Sequence, residues 1–241
     1  SASLDLTDDW RMYLRYAETI RMPSLYEDTG NIAGQRYHKP KNQFKPERSK
    51  TVEIGSVYNL SQLLKTQHHA DIKLTYYDMQ IENVFERNYL SQTIQMDKQL
   101  ISGIELQARY DNGLFFSDVS ASYNLKTKVC DEDSYIAINM FNKLPIPNCI
   151  DGGYPAGFLR TSTPPKYSLY ANIGLRLFDE KLTLGNRFIY HSKVVNKDEA
   201  DLQKRLPSAF AGFSNNPLRW NPIFTVDAYM SYQITADTSV E

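Results

Sequence analysis

Apolar and polar residues alternate with a period of two along most of this chain, and helical spacing is nearly absent. A period of two marks a strand with one apolar and one polar face, because successive side chains leave the pleat on opposite sides. Ile104, Leu106, Ala108 and Tyr110 interleave with Glu105, Gln107 and Arg109. Tyr167, Leu169, Ala171, Ile173, Leu175 and Leu177 interleave with Ser168, Tyr170, Asn172, Gly174 and Arg176, and Phe224 to Ile234 repeats the pattern. The alternation predicts strands over 10–16, 50–59, 70–84, 101–110, 115–126, 166–178, 181–192 and 223–234, with a ninth beginning near Ser239. Within 70–84 the phase slips at Tyr76 and Tyr77, which predicts a bulge there.

The connections between these strands alternate in length. Asp111-Asn112-Gly113, Asp179-Glu180 and the stretch from Thr235 to Thr238 are tight links, and 60–69 is somewhat longer. Between them lie long segments at 17–49, 87–100, 127–165 and 193–222. In an up-and-down sheet this puts every short turn at one end and every long loop at the other. That is the layout of an outer-membrane barrel, with short periplasmic turns and long extracellular loops. The strands run long, near the ten or so tilted residues that cross a bilayer. The apolar face then meets lipid and the polar face lines a lumen, and every backbone group must be paired, so the sheet must close. The alternative is a soluble β-sandwich or lipocalin-like barrel with the apolar face turned inward. Its strands are usually shorter, and loops of this length at one end only are unusual in it. The expected fold is therefore all-β: an antiparallel, up-and-down transmembrane β-barrel.

Composition sharpens this picture. The 241 residues include 17 Tyr against 2 Trp and 11 Phe, and the mean hydropathy is low at -0.49. A strand that shows only every second residue to lipid reconciles low average hydropathy with an apolar outer face. Tyr, with an apolar body and a wet tip, suits interface girdles and ligand-facing loops. The balance of 27 basic against 28 acidic residues gives no global attraction to nucleic acid. No apolar run reaches the length of a transmembrane helix, and no signal peptide is visible. The chain stops as a strand begins, which reads as a fragment of a longer protein. Cys130 and Cys149 lie in one irregular stretch, with no cysteine elsewhere. They fit a loop staple in an oxidising compartment, the alternative being two reduced thiols. No nucleophile elbow, HExxH or phosphate loop is present, so no enzyme chemistry is expected.

Several motifs, taken in order, resemble the barrel of TonB-dependent outer-membrane receptors. The first long loop opens with Tyr16-Ala17 and Arg21-Met22-Pro23-Ser24, and closes with Lys45-Pro46-Glu47-Arg48-Ser49 and Glu53-Ile54-Gly55. Gly103-Ile104-Glu105-Leu106, the 175–185 hairpin and Val226-Asp227-Ala228-Tyr229-Met230-Ser231-Tyr232 resemble later strands of the same barrel. The resemblance implies that the whole of 1–241 is part of one barrel domain of 22 strands in the bacterial outer membrane. It also implies that the N-terminal plug and the final strand or strands lie outside this chain. The expected partners are the outer-membrane lipid, a TonB complex acting through that plug, and a ligand at the extracellular loops.

Ile20-Arg21-Met22-Pro23 and Lys41-Asn42-Gln43-Phe44, with His38 between them, resemble degenerate forms of the two boxes that flank a histidine in haem and haemophore receptors. Carried over, His38 is an axial ligand to the iron of transported haem, delivered free or by a carrier protein. Neutral imidazole suits that role. Tyr37 would stack on the porphyrin or hydrogen-bond to it, and Arg36 and Lys39 would pair with its propionates. Two rivals stay open: a siderophore or other metal-chelate receptor on the same scaffold, and a soluble β-rich binding module. Elsewhere, His68 and His69 read as a wet periplasmic turn, His191 as a lumen-facing rim residue, and Asp131-Glu132-Asp133 as solvated acids. Asn215-Asn216-Pro217-Leu218 reads as a chance echo of the haem box. Tyr135, Phe141, Tyr154, Phe158, Phe210, Phe213 and Trp220 read as exposed loop aromatics of the kind that anchor a protein partner.

Overall fold

The computed structural model describes residues 1–25, 27, 44–66, 68–87, 93–140, 147–154, 163–196, 198, 219–235 and 238–240. Eight long or flanking strands run in chain order: β1 (Ala2–Asp5), β2 (Trp10–Arg21), β3 (Glu47–Asn59), β4 (His69–Arg87), β5 (Thr93–Asp111), β6 (Phe115–Cys130), β8 (Tyr167–Leu177) and β9 (Leu182–His191). The short β7 (Cys149–Asp151) precedes β8, and β10 (Val194–Val195), β11 (Arg219–Trp220), β12 (Ile223–Thr235) and β13 (Thr238–Val240) follow β9. The main sheet is ordered β1-β2-β3-β4-β5-β6-β8-β9-β12-β13, each strand antiparallel to its neighbours. Each of the eight expected strands is present, and the ninth begins at Thr238. Several outrun their sequence signal, because β2–β5 continue above the lipid band as paired loop stems. Much of 87–100, expected as loop, is therefore strand.

The register sorts the two faces into continuous rows. Trp10, Tyr58, Ile72, Ala108, Val119, Ala171, Phe188 and Val226 stand side by side across eight strands. A second row runs Leu14, Ile54, Tyr76, Ile104, Tyr123 and Tyr167. The opposite face carries the row Tyr13, Gly55, Thr75, Glu105, Ser122, Ser168 and His191. Leu14 and Ile54 are about half exposed, as befits side chains whose solvent is lipid. The bulge expected at Tyr76 and Tyr77 is absent, since β4 keeps one register with β3 from Asp71 to Glu82. Asp78, Gln80 and Glu82 share the outer face of Tyr76 but stand above the apolar rows, which mimics a change of phase. The register shift lies between β5 and β6, where Leu125 is the extra residue between Asn124 and Lys126.

Tyrosines also line the inner wall, the polar face on which the alternation already places Tyr170 and Tyr229. Tyr13 on β2 lies flat over Gly55 on β3 and reaches Thr75 Oγ1 on β4 at 2.8 Å. Tyr77 crosses Gly103 to donate to Asn124 Oδ1, and Tyr229 crosses Gly185 to donate to Asn172 Oδ1 at 2.9 Å. In each case a ring uses the space left by a missing Cβ and ties three strands together. Cations sit over two of these rings, Lys73 over Tyr13 and Arg187 over Tyr229. Asp71, Arg109, Asp118, Asn172, Arg187 and Asp227 form one transverse inner-face row in which opposite charges alternate.

The third long connection forms a small packed body above the sheet. Helix α1 (Glu132–Asn139) lies between β6 and β7. Val84, Met96, Val129, Ile150 and Tyr154 form its apolar core, with Ile81, Ile94 and Tyr135 packed against it. Cys130 and Cys149 face each other across the β6–β7 pair and are joined by a disulfide with a sequence separation of 19. Two expectations fail here. Tyr154 is only 2% exposed, and its hydroxyl bonds the carbonyls of Asp131 and Asn148, so it is core rather than a docking anchor. Asp131 is buried too, and its carboxylate accepts from the Ser134 amide at 2.9 Å as the N-cap of α1. Burial pushes the Asp131 carboxyl above its ordinary range, against the lowering bonds from Ser134 and reinforced by Asp97 and Asp133. Loop-closure entropy assigns the disulfide about 3 kcal/mol. Replacing Cys130 and Cys149 by serine should therefore speed hydrogen exchange of the α1 and β7 amides by about a hundredfold. The amides of β2, β3 and β12 should stay unchanged.

Candidate functional site

The two halves of the first long loop meet at a clamp above the lumen. Arg21, the last residue of β2, donates from Nε to Glu47, the first residue of β3, and from Nη1 to both Glu27 oxygens at 2.9 and 3.0 Å. Ser24 and Glu27 exchange bonds: the Ser24 amide donates to Glu27 Oε2 at 2.7 Å and Ser24 Oγ accepts from the Glu27 amide. This is the reciprocal pattern of a capping box. Burial would raise the Glu27 carboxyl, but the Ser24 bonds and then Arg21 outweigh it and hold it below its ordinary value. Glu47 Oε1 also accepts from the Phe85 amide on β4 at 2.6 Å, and the Arg21 guanidinium lies 4.9 Å over the Phe85 ring. Phe44 meets Phe85 edge-on at 5.4 Å.

A single glutamine completes the closing half of the clamp. Gln95 on β5 is buried, donates to the carbonyls of Lys45 and Asn83, and accepts from the Lys45 amide. Asn83 takes a left-handed turn at φ 58° and donates to the Pro46 carbonyl. Asparagine tolerates that conformation better than most residues. Thus Arg21, Ser24, Lys45, Pro46 and Glu47, the residues that carried the family resemblance, hold the base of the loop containing His38. Phe85, Asn83 and Gln95 had no signal of their own in the sequence, because they come from strands far along the chain.

The lumen wall offers a second feature. A groove of about 210 Å3 runs over Glu105, Gln107, Ser120, Ser122, Tyr170 and His191. His191 Nδ1 lies 2.9 Å from Ser168 Oγ, and the register places the ring on the inner face as expected. His68 packs against the Gly113 hairpin, and half-exposed His69 pairs with Asp71 at 2.8 Å. Both stand at a wet turn, and no metal-binding cluster occurs among the described residues.

Arg36, Tyr37, His38 and Lys39 lie outside the described residues, as do Phe141, Phe158, Phe210, Phe213 and 215–218. Of the loop aromatics that are described, Trp220 is exposed at 53%, Tyr135 is half-buried on the small core, and Tyr154 is buried.

Comparison with known proteins agrees with this geometry. The model of the "TonB dependent receptor-like, beta-barrel" family matches residues 1–241. A hemophilin receptor of Acinetobacter baumannii is 37% identical over 255 aligned residues, covering 100% of this chain and 23% of that protein. A probable TonB-dependent receptor of Haemophilus influenzae is 30% identical over 79% of this chain and 22% of its own length. The chain thus spans about a quarter of these relatives. Among solved structures, a ferric enterobactin receptor mutant of Pseudomonas aeruginosa superposes with a TM-score of 0.63 at 14% identity, over 98% of this chain and 32% of that one. The FrpB iron transporter of Neisseria meningitidis gives 0.61 at 16%, over 96% and 31%. The rows of lipid-facing residues, the turn-and-loop asymmetry and the full-length family match converge: the chain belongs to the TonB-dependent receptors, outer-membrane proteins of Gram-negative bacteria, and forms part of their β-barrel wall.

Proposed function

We propose that this wall belongs to a receptor that takes up haem, with the first long loop as the capture element. The observation that carries this reading is the 37% identity to a hemophilin receptor across the whole chain. In that reading His38 ligates haem iron, Tyr37 stacks on the porphyrin, and Arg36 and Lys39 pair with its propionates. Haem is cargo, received free or from a carrier protein that docks on the extracellular loops. A plug outside this chain, pulled by the TonB complex, would let it through. The chain is then one part of a single barrel domain whose remaining strands and plug lie outside 1–241. Its chemistry is coordination and burial, with no catalytic step.

The clamp supports a capture role for the loop. Two carboxylates and a buried glutamine hold its two ends 26 residues apart in sequence, so a ligand pays less of the entropy of ordering it. The test is His38→Ala in the full-length receptor. Growth on haem as sole iron source should stop, and the Soret band of the haem complex should shift. If haem growth persists while uptake of a ferric siderophore defines the phenotype, the receptor serves a chelate instead. A receptor that stays monodisperse in detergent-free buffer would overturn the membrane placement itself.

A further inference from the structure

Among the described histidines, His191 alone stands at the extracellular end of the wall. It closes β9 opposite the short β8–β9 link, whereas His68 and His69 sit at a turn of the other end. Register puts its ring on the lumen face, in one row with Ser168, Ser122 and Glu105. The residue is half-buried, and its Nδ1 lies 2.9 Å from Ser168 Oγ. Its Nε2 makes no hydrogen bond or ion pair with another described residue. The tautomer that donates from Nδ1 to Ser168 leaves the Nε2 lone pair for a metal.

The surface beside this ring suits a flat ligand. Ser120, Ser122 and Ser168 are small, so the inner face is recessed between Glu105 on β5 and His191 on β9, which forms the groove of about 210 Å3. Tyr170 and Ile189 line it with a ring and an aliphatic side chain, surfaces on which an apolar macrocycle packs. Glu105 is the one acid of the lining. Imidazole selects iron with an open axial position. Haem offers one on each face of its macrocycle, whereas a ferric chelate with its coordination sphere filled by oxygen donors offers none. From the clamp on β3 the wall passes through β4, β5, β6 and β8 before it reaches β9, roughly 24 Å at about 4.8 Å per strand spacing. His191 is therefore separate from the stem of the capture loop.

We propose that His191 is a second haem station at the mouth of the lumen. As cargo leaves the first long loop, Nε2 donates its lone pair to the iron on the face that loses its axial ligand. One coordinate bond forms as another breaks, and the iron keeps its oxidation state. The proposal rests on the haem reading above and adds to it a residue of the transport path.

The test uses the full-length receptor, folded as judged by heat-modifiable migration. His191→Ala should bind haem as tightly as the wild type, because the capture loop is intact, while energised cells should take up haem iron about tenfold more slowly. Ser168→Ala frees the ring and should give a smaller loss in the same direction. A spectral readout separates coordination from a structural role. In the His38→Ala receptor, adding His191→Ala should change the Soret band of the remaining haem, and adding His191→Cys should move it toward a thiolate-ligated position. Haem uptake unchanged by His191→Ala, or bands in the His38→Ala receptor that ignore residue 191, would overturn the proposal. Loss of uptake without any spectral change would assign His191 to contacts with the plug and overturn it too. A wild-type receptor that binds no haem overturns the haem reading and this proposal with it. One that binds haem with indifference to residue 191 overturns this proposal alone.

Discussion

Gly174→Val should abolish assembly of the barrel. Gly174 is a buried inner-face residue of β8, between Phe116 on β6 and Gly185 on β9. A Cβ at this position would fall inside the van der Waals radii of both the Leu184 carbonyl oxygen and the Phe116 ring. The ring can swing aside, but the carbonyl belongs to the β8–β9 ladder and cannot move without breaking it. Overpacking a rigid site costs about 1–3 kcal/mol, and more where backbone must shift. Gly174 sits mid-sheet, so such a shift is passed to the ladders on both sides, β6–β8 and β8–β9. The expected readout is loss of the heat-modifiable form and degradation in the periplasm. Phe116→Ala combined with Gly174→Val should not restore folding, because the carbonyl clash remains. Restoration would show that the ring alone is the obstacle. Gly55→Ala is the contrast. Its obstacle is the far end of the Tyr13 side chain, which can rotate away. That substitution should cost the Tyr13–Thr75 hydrogen bond and the Lys73 contact with the ring, together about 1–2 kcal/mol, and leave a folded barrel.

Arg21→Ala should disable ligand capture without disturbing the wall. Its guanidinium serves two carboxylates at once, Glu47 and Glu27, whose side chains are only 14% and 20% exposed. Removal leaves both without their cation, a cost of about 1–3 kcal/mol after allowing for the half-exposed arginine. The loop stem then opens more often, and, with haem as the proposed ligand, its affinity for the full-length receptor should fall by about tenfold or more. A readout independent of any ligand is the Phe85 amide, which donates to Glu47 and should lose hydrogen-exchange protection. Arg21→Lys keeps the charge but loses the fork that reaches both acids, so it should fall between the two. Acid should act in the same direction as Arg21→Ala. The Glu27 carboxyl is held below its ordinary value in the folded stem. Its contribution is therefore present above the ordinary carboxylate pKa and is lost as pH falls through the depressed value. An Arg21→Ala receptor with unchanged haem affinity and unchanged Phe85 protection would show that the stem does not position the loop.

The membrane wall was legible in the sequence because its rule is local. Each residue of Trp10–Tyr16 or Phe224–Ile234 faces lipid or lumen by parity alone, and lipid accepts only apolar side chains. Strand direction, the long-and-short alternation of connections and the outer-membrane setting follow from that parity and from turn residues such as Asn112-Gly113. The motif residues of the first loop were legible as well, though as family marks rather than as parts of a clamp.

Beyond the lipid band parity fails, and there only the tertiary structure decides. Tyr154 and Asp131 read as exposed because their neighbours are polar. They are buried because β4, β5, β6 and β7 converge on them from positions up to about 70 residues apart. The apparent slip at Tyr76 came from the strand leaving hydrocarbon, and the true bulge at Leu125 is visible only in pairing with β5. The inner-wall tyrosine contacts and the Gln95 anchor likewise each depend on distant segments meeting. A sequence read one segment at a time records which face a residue prefers. Which residues from distant strands share that face is set by register, and register is a property of the paired strands.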